Sequence, residues 1–169
     1  MTVDRLPESL RRKIFSRAEA RRAFGPPRDD VLVFTNGCFD LLHRGHVEVL
    51  ARAREHGDRL VVGLNDDGSV RRLKGAPRPL TSEEDRAACL AALEAVDGVV
   101  VFHEDTPAEL MRELEPDIWV KGGDYRREDL AELETLESLG GRLLIIPLVE
   151  GRSTTSLLQR LTEAGEGGA

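Results

Sequence analysis

Two of the chain's four histidines, His43 and His46, stand three residues apart in T-N-G-C-F-D-L-L-H-R-G-H, residues 35–46, where an apolar run gives way to a helical pattern. Such a pair has three uses. It can hold zinc, but the familiar helical pairs bring a carboxylate or thiolate to complete the shell, and no second thiol follows Cys38 at metal spacing. It can fill a packed corner. Or it can bind an anion. Gly45 lets the backbone approach a ligand closely, a helix starting near His46 presents unpaired amides and a favourable dipole, and two imidazoles can donate to phosphate oxygens. The third use is expected, with no metal held by the protein itself.

The elements that must position these groups follow from apolar patterning. Residues 31–34, 60–64, 99–102, 118–120 and 143–146 are short, uniformly apolar runs, the signature of strands buried on both faces. Helical segments lie between them. Ser16 and Glu19 have capping-box spacing for a short helix ending at Gly25, Pro26 and Pro27, and Thr81 and Glu84 repeat that spacing. Thr106 and Glu109 cap another helix, with Pro107 in its first turn. Val47, Leu50, Ala51 and Arg54 recur at helical spacing after the histidines, residues 129–139 form a Leu-rich helix, and residues 154–161 a last one. Residues 65–79, polar, cationic and rich in turn formers, read as a long mobile loop that carries Lys74.

Strand and helix alternate throughout, which predicts an α/β, Rossmann-like, doubly wound parallel sheet of about five strands in a single domain. The expected organisation is an arm at 1–16, the domain at 17–162 and a flexible tail at 163–169. Ligands of such sheets sit beyond the carboxyl ends of the strands. Residues 35–46, 65–74, 121–125 and 149–155 therefore share one rim.

A net charge of −7 over 169 residues argues against a general nucleic-acid binder, while leaving room for a small anion in a locally cationic cleft. No apolar run approaches the roughly 20 residues of a membrane span, and the first residues lack a signal-peptide core. Two cysteines, Cys38 and Cys89, make no disulfide framework, and Cys89 is expected in the core. A cytoplasmic, reduced protein is expected.

With the rim in view, T-N-G-C-F-D followed by H-R-G-H resembles the H-x-G-H signature of the cytidylyltransferase-like nucleotidyltransferases. The stretches R-L-K-G at 72–75, R-P at 78–79, A-L-E-A-V-D at 92–97, E-D-T-P at 104–107, V-K-G-G-D-Y at 120–125 and S-T-T at 153–155 fall in the order of one branch of that superfamily. That branch is the D-glycero-β-D-manno-heptose 1-phosphate adenylyltransferases, and the similarity runs from about Lys13 to Leu161. H-x-G-H is specific only to the superfamily; K-G-G-D-Y makes the narrower match.

The resemblance implies transfer of AMP from ATP, with Mg2+ carried on it, to a sugar 1-phosphate, releasing pyrophosphate. His43, His46 and Lys74 would act on the reacting phosphates. Asn36, Gly37, Phe39, Gly45, Asn65, Lys121, Gly122, Asp124, Ser153, Thr154 and Thr155 would line the nucleotide site. Asp40 is expected to hold its loop, or else to orient a histidine, and Trp119 to pack rather than stack on a base. Arg152 departs from the usual small or apolar residue. Related enzymes often carry a kinase domain as well; a separate heptose 7-phosphate kinase and a homodimer are expected here. Two rivals stand beside this reading: a cytidylyltransferase for a small phosphate such as glycerol 3-phosphate, and a nucleotide-binding regulator without catalysis.

Overall fold

The computed structural model describes residues 5–123 and 125–147. Its centre is strand β2 (Leu32–Gly37), whose side chains alternate between two apolar layers. Val33 enters one layer, Leu32 and Phe34 the other, and each is at most 1% exposed. The same alternation runs through β3 (Arg59–Asn65), β4 (Gly98–Phe102) and β5 (Ile118–Gly122). This is why these runs are continuously apolar instead of alternating. With β6 (Arg142–Ile146) and a two-residue strand β1 (Ile14–Phe15), they form one parallel sheet in the order β1-β4-β3-β2-β5-β6. All five expected strands are present. The sixth, β1, lies in the segment expected to be an arm: a one-turn helix α1 (Glu8–Arg11) precedes it, and Ile14 and Phe15 pair with Val99 and Val100.

Helices cover both faces. α3 (Arg44–Arg54) and α5 (Glu83–Ala91) supply Leu50, Ala53, Ala87, Leu90 and Ala91 to the first layer. α2 (Arg17–Phe24), α6 (Ala108–Leu114) and α7 (Leu133–Ser138) close the second. Trp119 is fully buried there, as expected of a packing residue. Ser16 forms the predicted capping box with Glu19.

Several expectations need correction. Residues 65–79 are not one loop, because Asp67–Lys74 forms a helix, α4, capped by Asp66, which accepts from the Ser69 amide. Its composition hides it, since only Ser69 and Val70 are buried. Ser82 rather than Thr81 caps α5, and α6 begins at Ala108, with Pro107 at the N-cap position and no side-chain cap. The Leu-rich segment is a short 3-10 turn, Arg127–Asp129, followed by α7. Val47 is 40% exposed and Cys89 is exposed, so neither belongs to the core. Among the described residues no helix is long and apolar enough to cross a membrane. The predicted helix at 154–161 and the tail at 163–169 lie outside the described residues.

Candidate active site

The chain runs from β2 outward through β3 to β4, then returns to the other side of β2 with β5 and β6. Between β2 and β5 the winding reverses, and in sheets of this kind the crevice for a ligand lies at such a reversal, beyond the strand ends. The loop following β2 occupies one lip. Phe39 and Leu41 both adopt positive φ, 47° and 59°, a region that costs a non-glycine residue energy. Asp40, between them, is what holds them there. It is 3% exposed and accepts from the amides of Leu80 (3.0 Å) and Thr81 (3.2 Å), from the Thr81 hydroxyl (3.1 Å) and from Arg78. Burial pushes the Asp40 carboxyl up, and these bonds with Arg78 outweigh that and hold it below the usual range. Thr81 is thereby drawn off the α5 cap. Asp40 therefore holds its loop, the structural one of the two roles expected; its partners are the residues leading into α5.

Gly37 has a local reason as well: a Cβ there would lie 3.2 Å from the Phe39 ring. Phe39 in turn packs against His46, with ring centroids 5.2 Å apart.

His43 and His46 are each held by a backbone amide. The Gly45 amide donates to His43 Nδ1 (3.1 Å), and the His43 amide donates to His46 Nδ1 (3.3 Å). Each Nδ1 is therefore an acceptor, so in the neutral ring the proton sits on Nε2. Both imidazoles are left with one N–H donor to offer. The rings stack, with centroids 3.9 Å apart and planes inclined by 27°. Burial lowers the pKa of His43. Burial, then the neighbouring His43 and Lys74, push His46 down to about 4. Near neutral pH the free site thus holds two uncharged donors. The expectation of unpaired amides is revised, because Gly45 donates to His43 Nδ1 and the His46 and Val47 amides bond to the His43 carbonyl. The imidazole pair, rather than this backbone, supplies the donors of the turn.

Lys74 ends α4, on the β3 side of the histidines. It is exposed, makes no ion pair among the described residues, and acts electrostatically on both His46 and Cys38. Gly75 follows at φ 73° and ψ 172°, a positive-φ backbone that glycine adopts readily and that ends the helix. On the β5 side, Lys121 is largely shielded from water, which lowers its pKa against the opposing pull of Glu132 and Cys38. Its ammonium lies 5.3 Å from the Trp119 ring and 4.9 Å from that of Tyr125. Gly122 closes β5 beside it. Cys38, whose thiol pKa is raised by burial, senses Lys74, Arg86 and Arg78. A chain of net negative charge thus gathers cations around the end of β2.

Other expected ligands are engaged within the protein. The Asn36 side-chain oxygen accepts from Trp119 Nε1 (3.0 Å), and the Asn65 amide donates to Ser69 (3.2 Å). Asp124, Arg152, Ser153, Thr154 and Thr155 lie outside the described residues. So the structure brings His43, Gly45, His46, Gly37, Phe39, Lys74 and Lys121 to one rim. Sequence reasoning missed Arg78 and Arg86. The detectable signal for Arg86 was an arginine next to Ala87 and one turn before Leu90, on the buried side of a helix.

At the winding reversal of a parallel sheet stand two imidazoles with Nε2–H to donate and two lysines without an ion pair among the described residues, a donor set suited to phosphate oxygens. The chain belongs to the cytidylyltransferase-like family of nucleotidyltransferases, whose model matches residues 34–160. It is 54% identical to the bifunctional protein HldE of Syntrophotalea carbinolica over 97% of this chain and 32% of that protein. Identity to the bifunctional protein HldE of Geotalea uraniireducens is 58%, over 77% of this chain and 26% of that one. The chain thus spans about a quarter to a third of the length of these relatives. Among solved structures, the lipopolysaccharide core biosynthesis protein of Thermoplasma volcanium is 30% identical with a TM-score of 0.59, covering 71% of this chain and 97% of that chain. Pantothenate synthetase from Thermus thermophilus shares the fold at 18% identity and a TM-score of 0.52, over 92% of this chain and 77% of its own.

Proposed function

We propose that this domain moves AMP from ATP to D-glycero-β-D-manno-heptose 1-phosphate, giving ADP-heptose and pyrophosphate. The observation that carries the reading is the stacked, amide-held histidine pair with the Lys74 charge near it. The choice of nucleotide and sugar rests on the K-G-G-D-Y and associated stretches and on the 54% and 58% identity to HldE proteins.

The chemistry asks little of a general base. A phosphate monoester has its second pKa near about 6, so the acceptor oxygen is largely ionised at neutral pH. That oxygen bonds to the α-phosphorus of ATP while the bond from phosphorus to the α,β-bridging oxygen breaks, and the electron pair leaves with pyrophosphate. What must be supplied is alignment of two mutually repelling anions, and stabilisation of the charge that develops on the leaving group. The Nε2–H groups of His43 and His46 donate to phosphate oxygen, and Lys74 neutralises the departing pyrophosphate. Lys121 and Gly122 line the β5 lip for the nucleotide, with Asn36, Gly37, Phe39, Gly45, Asn65, Asp124, Ser153, Thr154 and Thr155 completing the set.

Among the described residues no three His, Cys, Asp or Glu side chains gather to hold a metal. A donor set of imidazole and ammonium suits phosphate oxygens better than a bare cation. Mg2+, which keeps its waters and binds phosphates readily, enters in this proposal with ATP and neutralises its charge. A kinase activity supplies the phosphorylated sugar, the domain acts as a homodimer, and the setting is the cytoplasm.

Pyrophosphate release is the test. ATP with heptose 1-phosphate should give turnover, and CTP with glycerol 3-phosphate should give little. The reverse preference would assign the cytidylyltransferase reading. Nucleotide binding without turnover on any of these acceptors would assign the regulator.

A further inference from the structure

Arg86 is a charged side chain in the wrong place for solubility. It lies in α5, is 2% exposed, and is surrounded by the ends of four separate segments. Its Nε donates to the Thr81 carbonyl (3.1 Å), one terminal nitrogen donates to the carbonyls of Cys38 (2.5 Å) and Asn65 (2.9 Å), and the other to Asp67 Oδ1 (2.6 Å). These partners are the start of the histidine loop, the end of β3, the residue before the α5 cap and the first residue of α4. Burying a guanidinium costs several kcal/mol unless it is fully bonded, so a single arginine shared by four segments ties their positions together.

We infer that Arg86 is the positioning residue of this site, setting the distance between the Lys74 helix and the histidine loop. The inference rests on the transfer chemistry proposed above. α4 is two turns long and too short to be stable alone, so its place depends on its tethers. Glu83 accepts from the Asp67 amide, and Arg72 reaches Asp105 and the His103 carbonyl. Those tethers fix α4 to α5 and to the loop after β4. Arg86 adds the link to Cys38, five residues before His43. Lys74 and the imidazoles approach the polyphosphate from different elements, and an error of about 1 Å between such groups can cost about a hundredfold in rate. Lysine cannot replace the clamp, because three donors on one nitrogen cannot span four acceptors that a planar fork reaches from three nitrogens.

The test is Arg86→Lys, which keeps the charge and loses the fork. The expected result is a folded protein whose kcat falls several-fold, up to the tenfold that loss of Lys74 itself would cost, while KM for ATP stays within about threefold. In the same folded variant, the His46 titration followed by NMR should move upward from about 4, because a loosened loop and α4 weaken the burial and then the nearby Lys74 charge that hold it down. Loss of stability alone would not shift that titration. Should Arg86→Lys fail to fold, Asp67→Ala removes only the α4 leg of the clamp, the acceptor of one terminal nitrogen. It should lower kcat several-fold and move the His46 titration in the same direction. An unchanged kcat together with an unchanged His46 titration in either folded variant overturns the inference. If wild-type protein releases no pyrophosphate with any acceptor, the proposed reaction fails, and the His46 titration still decides the clamp.

Discussion

The two sides of the proposed phosphate site are built in opposite ways. The histidine loop is strained and pinned: Phe39 and Leu41 sit at positive φ, the buried Asp40 carboxylate anchors the turn, and each imidazole is locked by a backbone amide. The segment carrying Lys74 is exposed, two turns long, and followed by a glycine at φ 73° with open space around it. One side fixes donors before any ligand arrives, the other carries a charge on a long side chain with room to move. This division suits a reaction that must first align two anions and then cover the leaving group.

The contrast is sharpest at His46. His46→Ala removes a donor that needs no reorganisation, so turnover should fall at least tenfold, and by about 10²–10³ if it behaves as other preorganised donors do. Folding should stay near normal by circular dichroism. An unchanged rate removes His46 from the chemistry.

Asp40→Asn attacks the pinned side through its anchor. The carboxylate partners Arg78 out of water, so the substitution should destabilise the domain by about 2–4 kcal/mol in denaturant unfolding. A change under about 1 kcal/mol would mean that the strained turn holds itself.

Acid probes the same side without mutation. The folded-state pKa of His46, about 4, lies below the ordinary 6.5, so the unfolded chain takes up the proton first. The contribution is complete above pH 6.5 and is lost as pH falls toward 4. It should amount to on the order of 2 kcal/mol, with His43 adding in the same direction. Unfolding curves of wild type and His46→Ala at pH 7 and pH 4.5 measure it; parallel pH dependence in the two would contradict the buried neutral ring.

The exposed side should give the smallest effect. Lys74→Ala should lower kcat by about tenfold, about 1.4 kcal/mol, with Tm within a degree or two, because the side chain makes no ion pair among the described residues. A large loss of Tm would show that Lys74 is structural.

How far the sequence reveals this division follows from the same physics. Strands β2 to β6 were legible because burial on both faces demands continuous apolar runs. β1 was not, since two paired residues leave no pattern inside a charged stretch. α4 buries one apolar side chain, Val70, and its polar composition resembles a loop. The histidine spacing announced an anion site, but which nitrogen carries the proton depends on amides only the folded turn brings into place. Thr81 had capping spacing and lost it to Asp40, some forty residues away. Arg86 looks from sequence like one more surface charge in E-E-D-R, because its four acceptors come from segments far apart in the chain.

Nitrogen-15 NMR of histidine-labelled protein titrated with magnesium ATP puts the shared phosphate site to trial. The Nε2 signals of His43 and His46 should shift together and saturate at one nucleotide concentration, and Lys74→Ala should raise that concentration. If calorimetry shows the nucleotide bound while neither imidazole signal moves, the histidine pair does not hold the phosphates.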